Sequence, residues 1–168
     1  MRVGIISDTH VKNKEDLKRL EEIVNHYFVG VDMILHAGDM VDLRALEILR
    51  RVAQTVAVRG NMDFPETKQV LPEKTVVEAA GCKIGLIHGW SPAAGLPQRV
   101  RKEFKNVDCI VFGHSHEAFN RDIDGVLLFN PGSPMDRAFN TQNSVGFLNI
   151  NQSAEERCDK IFGEIVKI

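Results

Sequence analysis

Cysteine is scarce in this 168-residue chain: the three residues Cys82, Cys109 and Cys158 are odd in number and far apart. That argues against a disulfide framework or a paired CxxC zinc site. It leaves three small hydrophobes, buried in a protein of a reducing, cytoplasmic setting. Long apolar runs are missing too. Nothing approaches the roughly 18 residues that a membrane span needs, so no membrane association is expected. The opening Val3-Gly4-Ile5-Ile6 meets Ser7-Asp8 too soon to be a signal peptide. Nor does one charge dominate: 21 Lys and Arg against 23 Asp and Glu leave a formal net charge of -2. No extended nucleic-acid-binding surface is evident from that balance. With 43% hydrophobic and 26% charged residues, the composition excludes disorder. No repeat, low-complexity tract or linker interrupts the chain, and residues 1–168 are expected to form a single domain.

What is present is a rhythm of strands and helices. A buried strand is expected over Arg2–Ser7, followed by a helix from about Lys14 to Phe28 with Asn13 as its N-cap. A strand over Asp32–Ala37, a helix from near Asp42 and a strand over Thr55–Arg59 complete a right-handed, largely parallel first half. The second half is richer in strands. Thr75–Ala80 and Lys83–His88 read as a hairpin, and Pro97 marks a helix start. Further strands follow at Asp108–Gly113, Gly125–Asn130, Ser144–Ile150 and Lys160–Lys167. This α/β pattern, with helices thinning as strands accumulate, suits a two-sheet β-sandwich flanked by helices better than one doubly wound sheet.

Polar residues able to bind metals recur at the carboxyl ends of the expected strands. Asp8 and His10 follow the first, Asp39 the second, Asn61 and Asp63 the third, His88 the hairpin, and His114 and His116 the next. Ligands of α/β sheets bind beyond those strand ends. Glycine or serine accompanies each group, which lets the chain turn sharply there. Each short motif is common by chance, and a lone histidine is more often structural than a ligand. Their joint order, D-x-H, G-D, G-N, H-G and G-H-x-H, is specific. Burying so many polar groups is costly unless something neutralises them, and two divalent cations would do so.

Asp8-Thr9-His10, Gly38-Asp39, Gly60-Asn61, His88-Gly89 and Gly113-His114-Ser115-His116 resemble the five-block signature of calcineurin-like metallophosphoesterases. The likeness spans roughly residues 1–135, and the short length and Asn130-Pro131-Gly132-Ser133 are similar to the small YfcE-like phosphodiesterase branch. The resemblance implies a four-layer fold and a metal-dependent hydrolase with a dinuclear site. By that likeness Asp8, His10, Asp39 and His116 hold one metal. Asp39, Asn61, His88 and His114 hold the other, with Asp39 bridging. Manganese is the metal expected first, and iron, zinc, nickel and magnesium also suit mixed nitrogen and oxygen ligands. A hydroxide held between the two ions would attack a small phosphodiester, with Asp39, Asn61 and His88 counted as catalytic. Where many members carry histidine after the asparagine, this chain has Met62, which transfers no proton. Asp63 is the nearest alternative acid, or else a turn residue bonding local backbone. Phosphomonoesterase or protein phosphatase activity is the enzymatic alternative. A protein-binding scaffold of the same fold, as in a eukaryotic retromer subunit, is the non-enzymatic one.

Other residues are read more plainly. His36 is expected to be buried beside the ligands rather than to be one, and His26 to lie at the surface or an interface. Arg99, Arg101, Lys102 and Lys105 form a solvated basic helix face, or else supply one contact to a substrate phosphate. Trp90 packs its loop or stacks on a substrate ring. Phe139 is a candidate for a subunit interface in a homo-oligomer.

Overall fold

The computed structural model describes residues 1–136, 142–154 and 160–168. Cys158 and Phe139 lie outside the described residues. The chain opens with β1 (Arg2–Ile6), α1 (Lys14–Tyr27), β2 (Met33–His36), α2 (Arg44–Val52) and β3 (Gln54–Ala57). It continues with α3 (Pro65–Val70), the hairpin β4 (Lys74–Ala79) and β5 (Cys82–Ile87), and α4 (Leu96–Arg101). Then come β6 (Cys109–Val111), β7 (Ala118–Ile123), β8 (Val126–Pro131), β9 (Ser144–Ile150) and β10 (Ile161–Lys167).

These strands form two five-stranded sheets, in the orders β10-β9-β1-β2-β3 and β4-β5-β6-β8-β7. Each is mixed. In the first sheet β1, β2 and β3 run parallel, and β9 joins β1 antiparallel. In the second, β5, β6 and β8 run parallel between antiparallel β4 and β7.

Period-two burial explains the layering. Val3 and Ile5 of β1, with Met33 and Leu35 of β2, face the second sheet and meet Ile84, Leu86, Val111 and Phe129. Ile6 and Ile34 point the other way, against Leu20, Val24, Phe28, Leu46 and Leu49 of the α1 and α2 layer. On the far side of the second sheet, Leu96 and Val100 of α4 cover Ile110, Phe112 and Leu128. Helix, sheet, sheet, helix is the four-layer order expected. Cys82 and Cys109 are fully buried within the inter-sheet core. No helix among the described residues is long and apolar enough to cross a membrane.

Local chemistry sets the element limits. Asn13 caps α1, its side chain accepting from the Asp16 amide at 2.8 Å, with Glu15 and Asp16 favourably placed in the first turn. Two elements were not expected. Helix α3 has a single buried residue, Thr67, whose hydroxyl donates to the Val41 carbonyl. Strand β7, Ala-Phe-Asn-Arg-Asp-Ile, is a mostly exposed edge without apolar alternation. What matters for function is that β1, β2 and β3 of one sheet, and β5 and β6 of the other, end at the same rim.

Candidate metal centre

At that rim the backbone bends unusually. Asp8, His10, Asp39, His114 and His116 all have positive φ, between 44° and 72°. This region is uncommon for any residue with a Cβ, and such strain gathers at functional sites. Interloop hydrogen bonds hold it in place. The Asp8, His10 and Val11 amides donate to the Gly38, Asp39 and Met40 carbonyls at 3.0, 3.0 and 3.1 Å, so the first two loops run zipped together. Close approach also demands glycine at Gly60, where a Cβ would collide with the Asp39 carboxylate.

The side chains converge. His10 Nε2 lies 3.2 Å from His116 Nε2 and 3.7 Å from Asp39 Oδ2. His116 Nε2 is 3.4 Å from Asp8 Oδ1. His88 Nε2 lies 3.2 Å from Asp39 Oδ2, 3.9 Å from Asp8 Oδ1 and 3.2 Å from Asn61 Oδ1. His114 Nδ1 reaches the same Asn61 oxygen at 3.0 Å. All seven residues expected as ligands are therefore brought to one spot. Two groups within it, Asp8-His10-His116 and Asp8-Asp39-His88, have ligand atoms close enough to share a cation. Both contain Asp8, while Asp39 Oδ2 reaches toward a histidine of each.

The site straddles the two sheets. The His114 amide donates to the Asp8 carboxylate at 3.0 and 3.2 Å, and Ser7 Oγ donates to the same group at 2.6 Å. His88 Nδ1 donates to the Ala37 carbonyl at 2.8 Å, which turns Nε2 toward the cluster. Ser91 Oγ stands 3.0 Å from His114 Nε2 on the outer side of that ring.

Electrostatics point the same way. Burial by itself disfavours the His88 imidazolium, but the Asp39 carboxylate, with Asp8 behind it, overrides this and pushes the His88 pKa up to about 9. Burial would likewise raise Asp39, yet hydrogen bonding and charge from His88, with the Met62 amide, hold it below its ordinary value. Burial pushes His10 and His114 down, toward the neutral imidazole that ligates metals. Buried ring nitrogens and oxygens that face one another as acceptors need a proton or a cation between them. Imidazole, carboxylate and amide oxygen suit divalent transition metals, so the residues fit such ions.

Asp63 is buried, and both its oxygens are engaged: Oδ1 accepts from the Val41 amide and Oδ2 from the Gly60 amide, each at 2.6 Å. Burial nevertheless raises its pKa. This geometry is that of a turn residue bracing the Asn61 loop. Arg99 also serves the protein. Its guanidinium donates to the Trp90, Pro92 and Ala94 carbonyls and lies 5.8 Å from the centre of the Trp90 ring. The side chain thus clamps the loop that carries Ser91. His26 is exposed, its ring edge-on to Tyr27.

His36 is fully buried and outside both ligand groups. Its Nδ1 accepts from the Gly38 amide and its Nε2 pairs with Thr9 Oγ1, each at 3.1 Å, so it braces two of the ligand loops. Burial, helped by the His88 charge, pushes its pKa down to about 3. An unfolded chain takes up a proton at His36 below its ordinary value of 6.5, and the folded one does not. The stability this group contributes is whole above pH 6.5 and is lost progressively as pH falls toward 3. His36→Gln is expected to lower the melting temperature at pH 7 but to flatten its fall between pH 6.5 and 4. An unchanged slope in thermal melts across that range would show that His36 is not the buried neutral group.

Sequence reasoning missed the supports of the site. Asn130 Nδ2 donates to the Gly113 carbonyl, and Ser133 Oγ donates to the Asp8 carbonyl at 2.8 Å. The Asn130–Ser133 segment was singled out, without these roles. Ser7 entered only as a small residue beside Asp8, and Ser91 carried no signal at all.

Comparison with known proteins agrees with this geometry. The family model for a calcineurin-like phosphoesterase superfamily domain matches residues 1–153. A Methanocaldococcus jannaschii protein named "Probable metallophosphoesterase" is 39% identical over 137 residues, covering 80% of this chain and 68% of the relative. A phosphodiesterase of the same organism is 27% identical over 144 residues, covering 79% and 83%. Among solved structures, wild-type Vps29 of Entamoeba histolytica complexed with zinc has a TM-score of 0.67 at 26% identity. That match covers 99% of each chain.

Proposed function

Because the chain belongs to the calcineurin-like phosphoesterase superfamily, we propose that it is a phosphodiesterase acting on small diesters at a two-metal centre. The observation that carries this reading is a pair of cavities meeting at Asn61. One, of about 550 Å³, is lined by Thr9, His10, Lys12, Met62, His116 and Met135, among others. The other, of about 190 Å³, is lined by Arg59, Glu73, His88 and Trp90, among others. A phosphodiester has two ester arms and finds a place for each, whereas a monoester needs only one. The phosphodiesterase name of one relative supports the same reading.

In this proposal Asp8, His10, Asp39 and His116 hold one divalent ion, and Asp39, Asn61, His88 and His114 the other. Such ions, when bound, acidify a shared water and neutralise charge on the phosphoryl oxygens. The chain's own residues do the rest. His88 is fixed by Ala37 with its Nε2 inward, and Asp39 is fixed through Oδ1 by the Met62 amide at 2.7 Å. Met62, 53% exposed, lines the larger cavity where a leaving arm would lie and has no proton to give. With both oxygens of Asp63 tied to backbone amides, the leaving oxygen departs without an acid from this loop. Substrates with good leaving groups, such as aryl esters, are therefore expected to turn over fastest.

The test is hydrolysis of bis-p-nitrophenyl phosphate against p-nitrophenyl phosphate by chelator-treated protein, with Mn²⁺ added back. Metal-dependent cleavage of the diester, with little of the monoester, is expected. Preference for the monoester would make the protein a phosphomonoesterase. Silence on both with metal bound would favour a protein-binding role.

A further inference from the structure

The two histidines of the Gly113–His116 segment are both turned inward by one nitrogen, and what stands behind the other nitrogen differs. Behind His116 is a carboxylate. Its Nδ1 lies 3.4 Å from Asp136 Oδ2, while its Nε2 faces Asp8 Oδ1 at 3.4 Å and His10 Nε2 at 3.2 Å. Both partners are buried, with the side chain of His116 10% and that of Asp136 2% exposed. A charge–imidazole contact in so dry a place is little screened.

The route by which Asp136 arrives is fixed. Residues Asn130 to Met135 run under the ligand loops. Asn130 holds the Gly113 carbonyl, Ser133 Oγ donates to the Asp8 carbonyl, and the Met135 amide donates to Ser133 Oγ at 3.4 Å. The segment that braces the Asp8 and His114 loops thus delivers a carboxylate to the outer nitrogen of a ligand ring.

We infer that Asp136 is a positioning residue of the metal centre, its carboxylate facing His116 Nδ1 so that the proton is kept on that side and the Nε2 lone pair points at the cation. The inference rests on the metal-centre reading above. A carboxylate accepting from the far nitrogen of a ligating imidazole does two things. It selects the tautomer and sets the ring plane, and it makes the ligating nitrogen more basic. At 3.4 Å the contact is longer than an ordinary N–H···O bond, so the carboxylate acts on the ring chiefly through its charge. Asp136 follows β8, far along the chain from the D-x-H and G-D motifs, and no motif announces it. It also lines the larger cavity.

The experiment measures Mn²⁺ affinity of the purified protein by electron paramagnetic resonance, which reads free Mn²⁺ directly, in wild type, Asp136→Ala and Asp136→Asn. Melting temperatures are taken on chelator-treated samples. Asp136→Ala is expected to weaken Mn²⁺ binding roughly 10- to 100-fold. Asp136→Asn, whose amide oxygen can still face Nδ1 but carries no charge, is expected to fall between it and wild type. Half-buried Glu103, paired with Lys74 on α4's side of the second sheet, supplies the control Glu103→Gln, which should leave affinity unchanged. Wild-type affinity in both Asp136 variants would overturn the inference. So would a loss seen only in proportion to a lower melting temperature of the metal-free protein, since that is the mark of a general structural role. If wild type itself binds no Mn²⁺ in a manner that Asp39→Asn abolishes, the metal-centre reading falls, and that result is distinct from indifference at position 136.

Discussion

Asp39→Asn is expected to lower turnover of a phosphodiester about a thousandfold or more, equal to roughly 4 kcal/mol of barrier, while the chain stays folded. The substitution is nearly isosteric. The amide oxygen can still accept from the Met62 amide, which now bonds Oδ1, so the loop need not move. What disappears is the negative charge. Asp39 Oδ2 stands 3.2 Å from His88 and 3.7 Å from His10, and in the proposed centre it is the one carboxylate between two cations. An amide oxygen is a poorer bridge between two positive ions, so loss of one ion is expected together with loss of turnover. Steady-state rates at saturating Mn²⁺, with metal stoichiometry and a thermal melt of the same preparation, check this. Near-wild-type turnover would sink the two-metal assignment.

Gly60→Ala should be nearly as damaging, by a different route. The new methyl would sit against the Asp39 carboxylate and 2.5 Å from the Asp39 amide nitrogen. Neither neighbour is free to yield. Asp39 is bonded to Met62, and Gly60 itself donates to Asp63 Oδ2. Overpacking of this kind costs about 1–3 kcal/mol, or several degrees of melting temperature in a chain of this size. The displaced carboxylate should also cost about a hundredfold in activity, as misplacement of a catalytic group by about 1 Å does. Gly125→Ala is the comparison. Gly125 has φ of 71° with nothing within 4 Å, so its substitution strains a turn and touches no ligand. Melting and turnover should fall together in Gly60→Ala, and only melting in Gly125→Ala. If Gly60→Ala keeps full turnover, the tight packing of glycine on Asp39 has no part in activity.

The layered fold was legible because its strands are short apolar runs and α1 carries a capped amphipathic stripe. Elements with little to bury were not. Strand β7 and helix α3 each offer few buried residues, so neither leaves a pattern to read. The seven residues proposed as ligands were legible because short polar motifs recur at strand ends in an order that resembles a known family's signature. Their backbone was not, since positive φ at Asp8, His10 and Asp39 belongs to non-glycine residues that carry no such sign. The supports were hidden for a related reason. Ser91, Ser7 and Asp136 act by position alone, set by how distant loops pack, and a single serine or aspartate says nothing of that. Asp63 shows the opposite difficulty. Its place beside Asn61 suits an acid or a turn residue equally, and the two amides on its oxygens favour the turn residue.

The hydrogen bonds across the two sheets carry a thermodynamic consequence. His114 to Asp8 and His88 to Ala37 join one sheet to the other at the rim where the ligands gather. An ion bound there grips both halves of the sandwich and has no comparable site once they part. By mass action, an ion at a thousand times its dissociation constant then adds about 4 kcal/mol to the folded state. The resistance of the whole molecule to heat would follow the supply of metal around it, so the fold would act as a gauge of metal availability.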